Sequence, residues 1–226
     1  MHNSLLCARE KLMVQILKDT VRTQILSAAR ERFAKVGFKK ATMGDIASEA
    51  GVATGTIYKY FKNKNRLFGA IITDSLVDAY LRLTQNRIAS FARKDGPLSP
   101  DNKTQVASGE LLQFYVDNRL EIIIILSRAQ GTKYESFARE YVQSMESQSI
   151  RQAQKQFPEM TLSPTFHFMV KNILEESVRF LVSALETFTE AESIMKALSA
   201  MTAYQLAGIN ALIDWAHKDG KENDRI

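Results

Sequence analysis

The chain has 226 residues, 45% of them hydrophobic, with 10 Gly and 4 Pro, enough for one large domain or a small one joined to a larger one. One cysteine, Cys7, excludes an internal disulfide and a thiolate metal cluster, and His2, His167 and His217 are too scattered for a zinc signature. The net charge of +5 is unevenly spread: residues 1–70 hold 13 Lys/Arg against 5 Asp/Glu, a net +8, and the remainder holds 17 against 20, a net −3. A basic first third on a mildly acidic body suits a polyanion-binding head, although a chance excess of solvated lysines would give the same count.

Prolines occur only at 97, 100, 158 and 164, and the stretches between them are rich in Leu, Ile, Ala, Glu, Gln and Lys. That composition predicts an all-α protein. No apolar run approaches the ~20 residues of a membrane span, the densest being 122–126. The N-terminus is interrupted by Arg9, Glu10 and Lys11, unlike a signal peptide's apolar core. A soluble, cytoplasmic protein is expected.

Residues 1–19 read as an N-terminal extension, either a basic arm or the product of an early start, with Met13 the alternative initiator. The next stretch, 20–36, is predicted as one helix. Ile25, Leu26, Ala29, Phe33 and Val36 recur at three- and four-residue intervals, and Gly37 follows as a helix-ending glycine. Thr42 is placed as an N-cap with Asp45 three residues on, opening a short helix over 43–50 that Gly51 ends. Thr54 is expected to cap a further helix over 55–61, anchored from behind by Ile57 and Phe61. Two short helices around a glycine-containing turn fit a helix-turn-helix, whose second helix enters the major groove. Thr54 and Thr56 can then donate to phosphates or touch thymine methyls, and Tyr58 and Tyr60 can offer hydroxyls. Lys59, Lys62 and Lys64 can neutralise phosphates, Lys64 also opening the next helix.

The continuous stretch ILSAARERFAKVGFKKATMGDIASEAGVATGTIYKYFKNKNRLFGAII, 25–72, resembles the tetracycline-repressor-like (TetR/AcrR) family of bacterial transcription regulators. The composite includes the Phe33/Gly37 helix end, the Thr42 cap, IAxxAGV at 46–52 and GxxYxYFxxK at 55–64. The resemblance implies a three-helix DNA-binding domain over 20–66, joined to a helical effector-binding and dimerisation domain over 67–226. It implies DNA contacts from Thr42, Thr54, Gly55, Thr56, Tyr58, Tyr60 and Lys64. Many relatives carry a histidine where this chain has Tyr60.

In the body, one long helix is predicted from Asn65 towards Phe91, and the Gly- and Pro-containing stretch 94–104 is a loop. Further helices are predicted over 105–128, 134–157, 164–188 and 190–218. Residues 122–126 could form a buried strand, but the amphipathic run around them favours a buried helical turn. The last two helices are apolar on more than one face, which predicts a four-helix dimer interface built on Phe166, Val170, Leu174, Leu181, Leu198, Met201 and Leu212. The resemblance places helices of the body around a central effector pocket. Its expected lining is Phe114, Tyr115, Leu126, Phe137, Tyr141, Phe168 and Asn172, with Arg128 or Glu175 as polar anchors. An acidic anchor would suit a lipophilic cation and a basic one a carboxylate, and both residue types are present.

The expected function is therefore a ligand-responsive transcriptional regulator. By the resemblance it is a repressor that binds a palindromic operator as a homodimer and is released by a small lipophilic effector. It would lie in the cytoplasm, at the nucleoid when bound to double-stranded DNA. One alternative is a constitutive DNA-binding dimer. Another is an all-helical enzyme, but no P-loop, HExxH, CxxC or GxSxG is present. His167 with Glu175 and Glu176 is the nearest imitation of a catalytic group. No catalytic residue, metal or cofactor is expected.

Overall fold

The computed structural model describes residues 2–90, 102–160 and 162–223, which form helices and turns with no strand among them. In chain order the helices are α1 (His2–Lys40), α2 (Met43–Glu49), α3 (Thr54–Tyr60), α4 (Lys64–Ile71) and α5 (Asp74–Ser90). They continue as α6 (Asn102–Asp117), α7 (Arg119–Ile123), a π-helical turn (Ile124–Arg128), α8 (Phe137–Gln156), α9 (Pro164–Thr187) and α10 (Ala191–Asn223).

The stretch read as an extension is part of the first helix: α1 runs from His2 through those residues and on into the head. The helical path breaks at Gly37, whose φ of 82° and ψ of 157° suit only a residue without a Cβ. A Cβ there would also lie 3.6 Å from the Arg128 carbonyl oxygen. The break turns Phe38 back onto Phe33 and Phe68, and the three rings sit 5.1–5.7 Å apart, the two contacts of Phe68 edge-on.

The long helix predicted from residue 65 is instead two. Ile72 leaves helical geometry, and Thr73 Oγ1 accepts a hydrogen bond from the Leu76 N–H at 3.2 Å, restarting the chain as α5. The signal was present as Thr73 followed by Asp74, a cap and a first-turn acid. Most of the predicted loop lies outside the described residues, which resume at Asn102 inside α6. Residues 122–126 are helical, passing from α7 into the π-helical turn, and all five are buried.

One apolar core runs without interruption from Ile25 and Phe33 in α1, through Leu67 and Phe68 in α4, to Tyr115, residues 122–126 and Leu198 in the body. The expected boundary between 66 and 67 falls inside α4, next to Leu67 of this core. A second, smaller cluster joins Ile150, Met160, Phe166, Ile213 and Ala216. Between the two clusters, α5, α6, α8, α9 and α10 leave a cavity of about 230 Å³.

Candidate nucleic-acid interface and interior cavity

The head is built so that α3 has one buried anchor and an outer flank free of packing. Ile57 is wholly buried, while Thr54, Gly55, Tyr58 and Lys59 are exposed and Thr56 is half-buried. Nothing in the chain lies within 4 Å of the position a Cβ would take on Gly55, so internal packing does not require a glycine there. The helix is capped by Ala53 and not by Thr54, which is its first helical residue; the expectation of a Thr54 cap is corrected. The Thr54 hydroxyl is thereby not committed to capping.

Thr42 does cap α2, accepting the Asp45 N–H at 3.1 Å, and remains exposed. Arg32 holds α2 against α1 through Asp45 and Glu49, each at 3.0 Å. Thr42 and the Arg32 guanidinium together hold the Asp45 carboxyl below the usual carboxylate range. Tyr58 is half exposed, whereas Tyr60 leans on the core. Lys62 is exposed.

Lys64 is placed differently from expectation. Its ammonium donates to the carbonyl oxygens of Phe38 at 2.7 Å and Ala41 at 2.8 Å, and lies 4.4 Å from the centre of the Phe38 ring. These contacts pin the end of α1 to the start of α4, and partial burial lowers the lysine's pKa. The cap of α4 is Asn63, which accepts the Arg66 N–H at 2.9 Å. Sequence reading assigned Lys64 to the DNA backbone because an exposed lysine and one serving carbonyls look alike in a string of letters.

The cavity gathers some expected pocket residues and not others. Tyr115 and Tyr141 line it. Phe114 and Phe137 stand behind the wall, stacked on Tyr80 and Tyr141 respectively with ring centres 5.9 Å apart. Leu126 is core, Phe168 is 64% exposed, and Asn172 donates to the Phe168 carbonyl of its own helix. Glu175 is half-buried and does not reach the cavity. Arg128 sits at the junction of head and body, donating to the Ala34 carbonyl at 3.3 Å and pairing with Glu186 at 2.8 Å.

All seven residues expected at a dimer interface, Phe166, Val170, Leu174, Leu181, Leu198, Met201 and Leu212, line this cavity within one chain. The apolar groups that α9 and α10 turn outward are others: Phe168, Met169, Tyr204 and Trp215, the α10 pair flanking Ala207, Gly208 and Ala211. The sequence reading also missed Thr84 and Arg87 of α5, and Ser149, Gln152 and Gln156 of α8, all on the wall. Their signal was a stripe, 141-145-149-152-156, that a solvated face does not explain, since Tyr141 and Met145 are buried.

No group of three or more His, Cys, Asp or Glu among the described residues could hold a metal ion, and no described helix is long and apolar enough to cross a membrane.

The head is thus a helix-turn-helix with its second helix exposed, the construction of a DNA-binding regulator. Residues 25–71 match the model of the family described as bacterial regulatory proteins, tetR family. It is 48% identical over 52 residues to the uncharacterized HTH-type transcriptional regulator YhgD of Bacillus subtilis, covering 23% of this chain and 27% of that protein. It is 42% identical over 64 residues to the HTH-type transcriptional regulator TtgR of Pseudomonas putida, covering 28% and 30%. The matched stretch therefore spans less than a third of either relative. Among solved structures, the fatty acid degradation regulator FadR from Bacillus halodurans aligns over 83% of this chain and 95% of its own, at 15% identity and a TM-score of 0.48.

Proposed function

We propose that the chain is a homodimeric transcriptional repressor which binds a palindromic operator and leaves it when a small lipophilic molecule enters the body. The observation that carries the DNA half is the outer flank of α3, where Thr54, Gly55, Tyr58 and Lys59 are exposed around a buried Ile57. Thr42, Lys62 and the hydroxyls of Thr56 and Tyr60 complete the surface, with the lysines meeting phosphate and Thr56 reading base edges. The cavity supports the effector half. Its largely apolar wall, edged with hydroxyls, amides and the Arg87 guanidinium, suits a ligand and has no part in DNA binding. A ligand that prefers the conformation with misplaced heads weakens operator binding by the same factor as DNA weakens the ligand, typically 1–3 kcal/mol of coupling energy.

The dimer surface we assign is the outward face of α10 and the start of α9. Tyr204 is 75% exposed there, on a helix side of alanine and glycine that lets a second helix approach closely. We place the protein in the cytoplasm, at the nucleoid when bound, and assign it no enzymatic activity.

Gel shift and footprinting on the DNA flanking the protein's own gene test the reading. An inverted repeat should be protected, and removing Lys59 or Lys62 should lower the slope of log affinity against log salt by about one each. Equal affinity for random duplex at matched salt would defeat it. Ala207→Arg should give monomers in sedimentation with helicity intact, whereas a stable dimer would move the interface elsewhere.

A further inference from the structure

The cavity wall spreads its polar groups instead of collecting them. Each of the five helices around it contributes an uncharged one: Thr84 from α5, Ser108 from α6, Ser149 from α8, Ser177 from α9, and Thr202 and Gln205 from α10. Side-chain bonds cross between helices at this wall. Thr84 and the Tyr141 hydroxyl share one of 2.9 Å, joining α5 to α8, and Gln205 Nε2 donates to Ser177 Oγ, joining α10 to α9. Ser177 Oγ in turn donates to the Ile173 carbonyl at 2.5 Å. With its nitrogen turned to Ser177, Gln205 keeps its amide oxygen as an acceptor. Tyr115 stands on the wall with the first pair. Tyr80 lies between them, its ring 4.8 Å from that of Tyr141 and 5.9 Å from that of Tyr115; it is wholly buried, and its hydroxyl has no hydrogen-bond partner among the described residues.

The described wall offers no unpaired charge. It includes no carboxylate. Arg87 is its cation and is already engaged: Nη2 donates to Thr202 Oγ1 at 3.5 Å, and that is not its whole set of interactions. An ionised ligand would therefore leave water for a cavity without a counter-ion, at a cost that a neutral one avoids. Burial raises the pKa of Tyr80, Tyr115 and Tyr141, so all three phenols stay protonated and can both donate and accept. Tyr115, Tyr141, Phe166 and Phe180 supply aromatic surface, which suits a ring. The volume of about 230 Å³ falls below the roughly 300–1,000 Å³ of drug-sized sites, so the ligand is small.

We infer that the cavity takes a small uncharged aromatic molecule with oxygens at two of its edges, one meeting Tyr115 and the Thr84–Tyr141 pair and the other, a hydroxyl, meeting Gln205. This rests on reading the cavity as the effector site, and it excludes the lipophilic cation and the carboxylate that the sequence left open.

Calorimetric titration of the full chain with a matched set of para-substituted biphenyls tests it. All carry a hydroxyl at one end, and they differ at the other: hydroxyl, hydrogen, carboxylate or aminomethyl. The diol should bind at one site per chain, about two- to tenfold more tightly than the monophenol, the range of one neutral hydrogen bond. It should exceed both charged probes by at least about tenfold, because each of those buries a charge without a partner. Tyr115→Phe should weaken the diol by about two- to tenfold, and Gln205→Leu should erase the difference between diol and monophenol. The wild-type series decides alone if the variants do not fold. Equal or tighter binding of a charged probe, equal binding of diol and monophenol, no binding of the diol, or folded variants that bind as the wild type does would each overturn the inference. Repeating the titrations with operator duplex present separates it from the wider reading. Release of DNA by a charged probe alone would defeat the neutral ligand and keep an effector-responsive regulator. Diol binding without release would keep the neutral ligand and defeat the regulation.

Discussion

The head and the body solve the same packing problem in opposite ways. Around α1 the core is dense: Ile25, Phe33, Ile46, Ile57 and Leu67 are wholly buried, and three phenylalanine rings pack together with centres 5.1–5.7 Å apart. In the body, two apolar clusters fail to meet, and the space between them is edged with hydroxyls, amides and a guanidinium. A surface that reads DNA needs a rigid floor, so the head places its chemistry outside and fills its interior. A site that encloses a small molecule, as proposed for the body, needs the reverse.

That contrast can be broken by truncation. Phe33→Ala should cost about 3–5 kcal/mol in urea denaturation, the usual range for a large aromatic removed from a dense core. Phe180→Ala, whose ring borders the cavity, should cost less than half as much because part of its surroundings is already open. Equal losses would mean that the body is packed as tightly as the head. Lys64→Met comes next, with an expected loss of about 1–2 kcal/mol from two abandoned carbonyl acceptors. Its operator affinity should fall without a change in salt slope. A slope reduced by about one, at unchanged stability, would return Lys64 to the phosphate backbone.

The smallest effect concerns acid. The Asp45 pKa is lowered in the folded head, so its contribution is present above the unfolded carboxyl value of about 3.9 and is lost as pH falls through the lower folded value. Asp45→Asn should therefore lower the neutral plateau slightly and converge with the wild type as pH falls below about 4, which flattens the acid limb of the stability profile.

The same contrast explains what could be read from the letters. The head's contacts are local. Phe33, Gly37, Thr42, Ile46, Gly51, Ile57 and Phe61 recur at spacings that fit short helices broken by glycines, and Thr42 caps α2 as its position predicts. Lys64 escaped because its partners lie 26 and 23 residues earlier, on a chain reversal produced by one glycine. In the body nearly every useful contact is distant. Thr84 meets Tyr141 across 57 residues and Arg87 meets Thr202 across 115, and no periodicity carries that information. Apolar stripes on α9 and α10 showed that a face was covered, not what covered it. The cavity and a second chain leave the same stripe.

Gly37 and the loop above it have a consequence for how such a protein could be recombined. The family match stops at residue 71, yet the floor of the head is completed by chain far beyond it. The Arg128 carbonyl passes within 3.6 Å of where a Cβ on Gly37 would stand, Arg128 Nε reaches the Ala34 carbonyl, and Gly131 lies against the Phe38 ring. Arg30 and Glu121 add an ion pair of 2.5 Å across the same seam. The head is therefore not a portable cassette. A chimera that exchanged residues 1–72 alone would graft a foreign helix onto a seam cut for α1, and the transplant would have to bring residues 121–134 with it. Evolution, working by the same cut and paste, would have had to keep both sides of the seam in step.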